Sequence, residues 1–187
     1  MSPRPWLAAA LLLPLSAAAD EKVPHRCEAV YMGPVEGCSL DGPWTVTSTG
    51  KTEAQARKTA EARLQRLITA AAEARALQAA GTVASITTEP ERTACPAVAA
   101  AQGRVYCTPD PELARSKICF ASFDDAGCYG GMSLDYEGPA WKVLERGAEE
   151  LCAAAEAWKR AQPGVTEAQV LQCTTRCLRE VRLRCAQ

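Results

Sequence analysis

The 187-residue chain contains no asparagine, one histidine (His25) and only ten aromatic residues. Without asparagine there is no acceptor for N-linked sugar. A single histidine, close to the expected start of the mature chain, removes most zinc cages and Ser-His-Asp machinery. Long apolar stretches are missing too. The run Trp6 to Leu15 is broken by Pro14 and reaches about half of the ~20 residues that cross a bilayer. No C-x-x-C dithiol, nucleophile elbow, phosphate loop, HExxH or dinucleotide fingerprint occurs. Charge of either sign is not in excess, with 21 Lys and Arg against 22 Asp and Glu. A nucleic-acid binder needs a basic surplus to displace counterions from phosphates, so that class is disfavoured. No cofactor is expected.

What is present is cysteine, ten residues, and alanine, 36. Residues 1–19 read as a secretory signal, with Arg4 as the positive end, the short apolar run, and Ala17-Ala18-Ala19 as a small-residue cleavage site. The first cysteine is Cys27, away from that site, which argues against a lipoprotein. A single disulfide-rich domain over 20–187 follows, secreted or periplasmic, with no transmembrane segment after signal cleavage. Arginine outnumbers lysine by 15 to 6, and with the alanine content this suggests a GC-rich, bacterial coding sequence.

Cys27, Cys38, Cys95, Cys107, Cys119, Cys128, Cys152, Cys173, Cys177 and Cys185 all follow the signal. An even number in an oxidising compartment implies five disulfides. Few aromatics and much alanine give a thin core, which supplies the physical motive for such staples. Metal binding by Cys173, Cys177 and Cys185 is disfavoured, because histidine partners are lacking.

Periodicity predicts an α+β fold of short antiparallel hairpins on alanine-rich helices. Strands are expected at 27–32, with a turn at Gly33-Pro34 and a return toward Cys38, and at 44–49, 82–88, 104–107 and 117–123. A helix over 52–80 starts at a Thr52–Gln55 capping box and places Ala56, Ala60, Leu64, Leu67, Ala71 and Ala74 on one face. A second begins at Pro139 with Trp141, Leu144, Ala148, Leu151, Ala155 and Trp158 aligned. After the break at Pro163-Gly164, a third is capped by Thr166 and Gln169 and runs toward the C-terminus. The last two form a helical hairpin that sets Cys152 opposite Cys173 or Cys177.

Two registers suggest a tandem duplication, with pseudo-repeat halves 20–103 and 104–187. One aligns Gly37-Cys38 with Gly127-Cys128, the other Ser39-Leu40-Asp41 with Ser133-Leu134-Asp135. If it holds, the pairs Cys27–Cys38, Cys95–Cys107 and Cys119–Cys128 are local to each half.

Function is less legible. The preferred reading is a non-catalytic binding or envelope protein that meets another protein or an envelope component, made rigid by its bridges. One rival is an inhibitor or effector acting through an exposed 107–119 loop with Pro109 and Pro111. The other is a hydrolase whose carboxylates are drawn from Asp124, Asp125, Asp135 and Glu137. Arg176, Arg179, Arg182 and Arg184 are placed at the end of the last helix, with Lys159 and Arg160 at the opposite tip of the hairpin.

Overall fold

The computed structural model describes residues 23–36, 38, 40–80, 94–95, 97, 103–125 and 127–186. Its elements are β1 (His25–Tyr31), β2 (Trp44–Gly50), α1 (Glu53–Ala80), β3 (Arg104–Pro109), a 3-10 turn (Pro111–Ala114), β4 (Ser116–Asp125), β5 (Tyr129–Pro139), α2 (Ala140–Arg160), α3 (Glu167–Glu180) and β6 (Arg182–Cys185). The fold is α+β, with two three-stranded antiparallel sheets ordered β2-β1-β3 and β5-β4-β6. In each sheet the first strand in sequence lies in the middle. Its two neighbours therefore run parallel to each other, and a parallel connection needs a crossover, usually helical. The first unit crosses over from β2 to β3 by way of α1, the second from β5 to β6 through α2 and α3.

Strand formation follows from period-two patterning. Along β1, Cys27, Ala29 and Tyr31 are buried while Glu28 is exposed; along β4, Cys119, Ala121 and Phe123 are buried while Ile118 and Phe120 face outward. The expected return of the first hairpin to Cys38 is corrected. Val35 and Cys38 form only an isolated bridge, and β1 pairs with β2 instead, Tyr31 opposite Trp44. Those two rings pack at 5.7 Å, and the Tyr31 hydroxyl donates to the Leu40 carbonyl at 3.2 Å. The strand expected over 82–88 lies outside the described residues, as does most of 91–103, where Ala94, Cys95 and Ala97 are helical. The strand β3 pairs with β1, so it belongs to the first sheet although the sequence places the half boundary just before it.

The helices start where their caps predict. At α1 the Gln55 amide donates to Thr52 Oγ1 at 3.2 Å, while the Gln55 side chain accepts from the Lys51 amide and not from Thr52. At α3 the box of Thr166 and Gln169 is complete. Alanines 56 and 60 with Leu64, Leu67 and Ile68 face inward, and their small volume lets α1 lie close over the first sheet. The expected inner stripe of α2 is found at Leu144, Ala148, Leu151 and Ala155, which are buried; Val143 and Cys152 widen it, and Trp158 at its far end is exposed. The third helix, α3, packs on both α1 and α2.

Two further expectations are corrected. The last helix ends at Glu180, and the chain turns into β6, where half-buried Leu183 and Cys185 alternate with exposed Arg182 and Arg184. Helical periodicity through Val181 hides this switch to period two, which is completed only by pairing with β4. The 107–119 segment does not stand clear. Leu113 of its 3-10 turn is buried beside Cys119, Ala140, Val143 and Leu144; the Asp110 amide donates to the Pro24 carbonyl, and its carboxylate meets Arg26 at 3.4 Å.

Four disulfides are present: Cys27–Cys107, Cys38–Cys95, Cys119–Cys185 and Cys152–Cys177. The helix-hairpin bridge is the one anticipated at Cys152. The three local pairs, Cys27–Cys38, Cys95–Cys107 and Cys119–Cys128, are overturned. Cys27 faces Cys107 directly across the β1–β3 ladder, and Cys119 faces Cys185 across β4–β6, so the return strand of each unit supplies the partner.

Candidate functional site

The carboxylates singled out in the sequence spread along one hairpin. Asp125 lies opposite Tyr129 at its tip, whereas Asp135 pairs with Phe120 and Glu137 with Ile118 farther down. Five residues of strand separate position 120 from 125, roughly 16 Å at the usual rise. Asp124 is exposed, as is Glu137. Among the described residues no group of three or more His, Cys, Asp or Glu is placed to hold a metal ion. His25 is occupied locally, its Nδ1 donating to the Val23 carbonyl at 2.7 Å.

The tip itself is a built corner. Asp125 Oδ2 meets Arg176 Nη1 of α3 at 3.0 Å, its Oδ1 accepts from the Gly127 amide at 2.8 Å, and Lys159 Nζ of α2 donates to the Gly127 carbonyl at 2.6 Å. These cations reach one tip although their helix positions lie far apart, because both side chains are long. Beneath them are Cys128 and Cys173, both buried and unbridged, with the Cys173 thiol 4.0 Å from the Ala155 carbonyl. Burial pushes both thiols up from their ordinary range.

Burial opposes ionisation of Asp125, but its bonds to Arg176 and the Gly127 amide outweigh it and hold the carboxyl below the usual 3.8. A carboxyl whose folded-state pKa is lowered adds stability that is fully present above the unfolded value and fades as pH falls through the folded one. Acid is therefore expected to loosen the tip below pH 3.8. Asp125→Asn should flatten that part of the acid-unfolding curve, and a curve unchanged by the substitution would place the acid sensitivity elsewhere.

A second polar constellation joins the two units. Arg63, on the inner face of α1, donates from Nη1 to the Thr47 carbonyl of β2, from Nη2 to Glu145 at 2.6 Å and to Glu149 at 2.9 Å, and from Nε to Glu149 at 3.1 Å. Its side chain is 2% exposed. Glu145 also accepts from the Thr49 amide at 3.1 Å. Burial raises its carboxyl despite Arg63 and that amide. Sequence reasoning missed Arg63; the available signal was a cation at a core-facing position of an otherwise alanine and leucine stripe.

Among the described residues, two surfaces bear on binding. A cleft of about 350 Å³ between α1 and β3 is bordered by Lys58, Glu61, Gln65 and Ile68. On the outer face of the second sheet, Ile118 is 52% and Phe120 39% exposed on the middle strand. Arg184 flanks Phe120 on the β6 side, and Glu137 flanks Ile118 on the β5 side. No protein-family model matches the chain, and no curated protein or solved structure matches it.

Proposed function

We propose that this chain is a non-catalytic binding protein of the periplasm or cell exterior, which meets another protein or an envelope component through the outer face of the β5-β4-β6 sheet. The observation that carries the reading is the pair Ile118 and Phe120, exposed side by side on the middle strand of a sheet whose inner face is packed on helix and whose edge is clamped by Cys119–Cys185. Apolar side chains at the centre of a surface with charges around them match the anatomy of interfaces, where a few buried anchors carry most of the affinity. A rigid sheet loses little conformational freedom when it binds. The four bridges fit an oxidising compartment, and no helix among the described residues is long and apolar enough to cross a membrane.

The test combines affinity capture from the source envelope with a surface variant. Phe120→Asp with Ile118→Ser is expected to lower capture of any specific partner at least tenfold while leaving the thermal midpoint within ~2 °C, since both side chains face outward. Equal capture by the variant and the parent protein would sink this reading.

A further inference from the structure

We propose that Cys128 and Cys173 close a fifth disulfide, the counterpart in the second unit of Cys38–Cys95 in the first, in a chain built from two copies of one strand-strand-helix-strand unit. Both sheets have the same order, first strand central, second strand on one side and the strand after the helix on the other. Each is bridged at the same place, from the central strand to the return strand, by Cys27–Cys107 and Cys119–Cys185. With those pairs aligned, the other cysteines fall into step. Cys95 precedes Cys107 by twelve positions, and Cys173 precedes Cys185 by twelve. Cys38 follows Cys27 by eleven and Cys128 follows Cys119 by nine, each just beyond the central strand. Cys95 and Cys173 both lie in helical segments before their return strands. The first unit joins its two remaining cysteines as Cys38–Cys95. The equivalent pair in the second unit is Cys128 and Cys173, and Cys152–Cys177 is then an addition peculiar to the double helix of that unit.

Local geometry supports the pairing independently. Arg176, one helical turn after Cys173, grips Asp125, and Lys159 grips Gly127, which fixes the backbone of Cys128 against α3. Both cysteines are buried in the same core and free of any other bridge. Closure is a two-electron oxidation. A thiolate of one cysteine attacks a disulfide donor to give a mixed disulfide, and the second thiol displaces the donor's remaining half. The two thiol protons leave, and one donor disulfide is reduced to two thiols. Oxidised glutathione serves as the donor below.

The experiment uses the full chain, exported and purified without reductant, then alkylated in denaturant, digested with trypsin and analysed by mass spectrometry before and after reduction. The expected result is no alkylated cysteine, with the peptide spanning 161–176 joined to the peptide spanning 118–142, which carries Cys119 and Cys128. Alkylated Cys128 and Cys173, or Cys173 joined to any other peptide, overturns the proposal. Refolding of the reduced chain gives an independent count. Five bridges release ten molecules of glutathione per chain from the oxidised form, and the Cys128→Ser, Cys173→Ser variant releases eight. A parent value of eight also overturns it.

Discussion

Replacing Arg63 by alanine is expected to destabilise the protein by about 3–5 kcal/mol, the usual consequence of stripping one partner from a buried ion pair. The guanidinium is held by two carboxylates of α2 and one carbonyl of β2, and its side chain is almost wholly removed from solvent. Its loss leaves the Thr47 carbonyl without this donor, Glu145 desolvated without its cation, and a void under α1. Burial already raises the Glu145 carboxyl, so in the variant that group should take up a proton at still higher pH. The destabilisation should then grow as pH rises through that interval, because ionising an unpaired buried acid costs more in the folded state than in the unfolded one. Arg63→Lys keeps the charge but not the fork of donors and should recover only part of the loss. Urea denaturation at several pH values measures this. A cost below ~1 kcal/mol for Arg63→Ala would mean that water replaces the guanidinium, against the burial argument.

The largest single covalent effect is expected at Cys27–Cys107. It links positions 80 apart, against 25 for Cys152–Cys177. In the chain-entropy picture these loops correspond to about 4.5 and about 3.5 kcal/mol of restriction of the unfolded state. The Cys27→Ala, Cys107→Ala double variant should therefore be the less stable of the two corresponding double variants. Complete reduction removes all such restraints at once. Their nominal sum exceeds the ~5–15 kcal/mol by which small domains are stable, so the reduced chain is expected to be unfolded at 37 °C. Circular dichroism with and without reductant checks this, and an unchanged melting curve after verified reduction would show that burial alone holds the fold.

The parts of this architecture that could be read in advance are those fixed within a few residues. The Thr166 and Gln169 cap, the break at Pro163-Gly164 and the opposition of Cys152 to Cys173 or Cys177 depend on local geometry, and each is found, Cys177 being the partner taken. The fate of Cys27 was not legible, because its partner lies 80 positions away across a strand-strand contact. Arg182 to Cys185 illustrates the same limit. Four residues after a helix carry too little pattern to announce a strand, and it is the exposed edge of β4 that recruits them. At the hairpin tip, Asp125 stood out as an acid and Arg176 as a helix-end cation, yet nothing in their spacing joined them.

Composition and short-range pattern by themselves determined the thin alanine-rich interior, the reliance on sulfur bridges, the α+β class and where the three helices begin, since those properties are set by side-chain volume, caps and turn residues acting over one or two turns. Only the tertiary structure decided which strand lies in the middle of each sheet, which cysteines meet, and that Arg63 is sealed between the two units. Those outcomes depend on contacts between residues distant in the chain, where many pairings satisfy the same local rules and the burial of one common core selects among them.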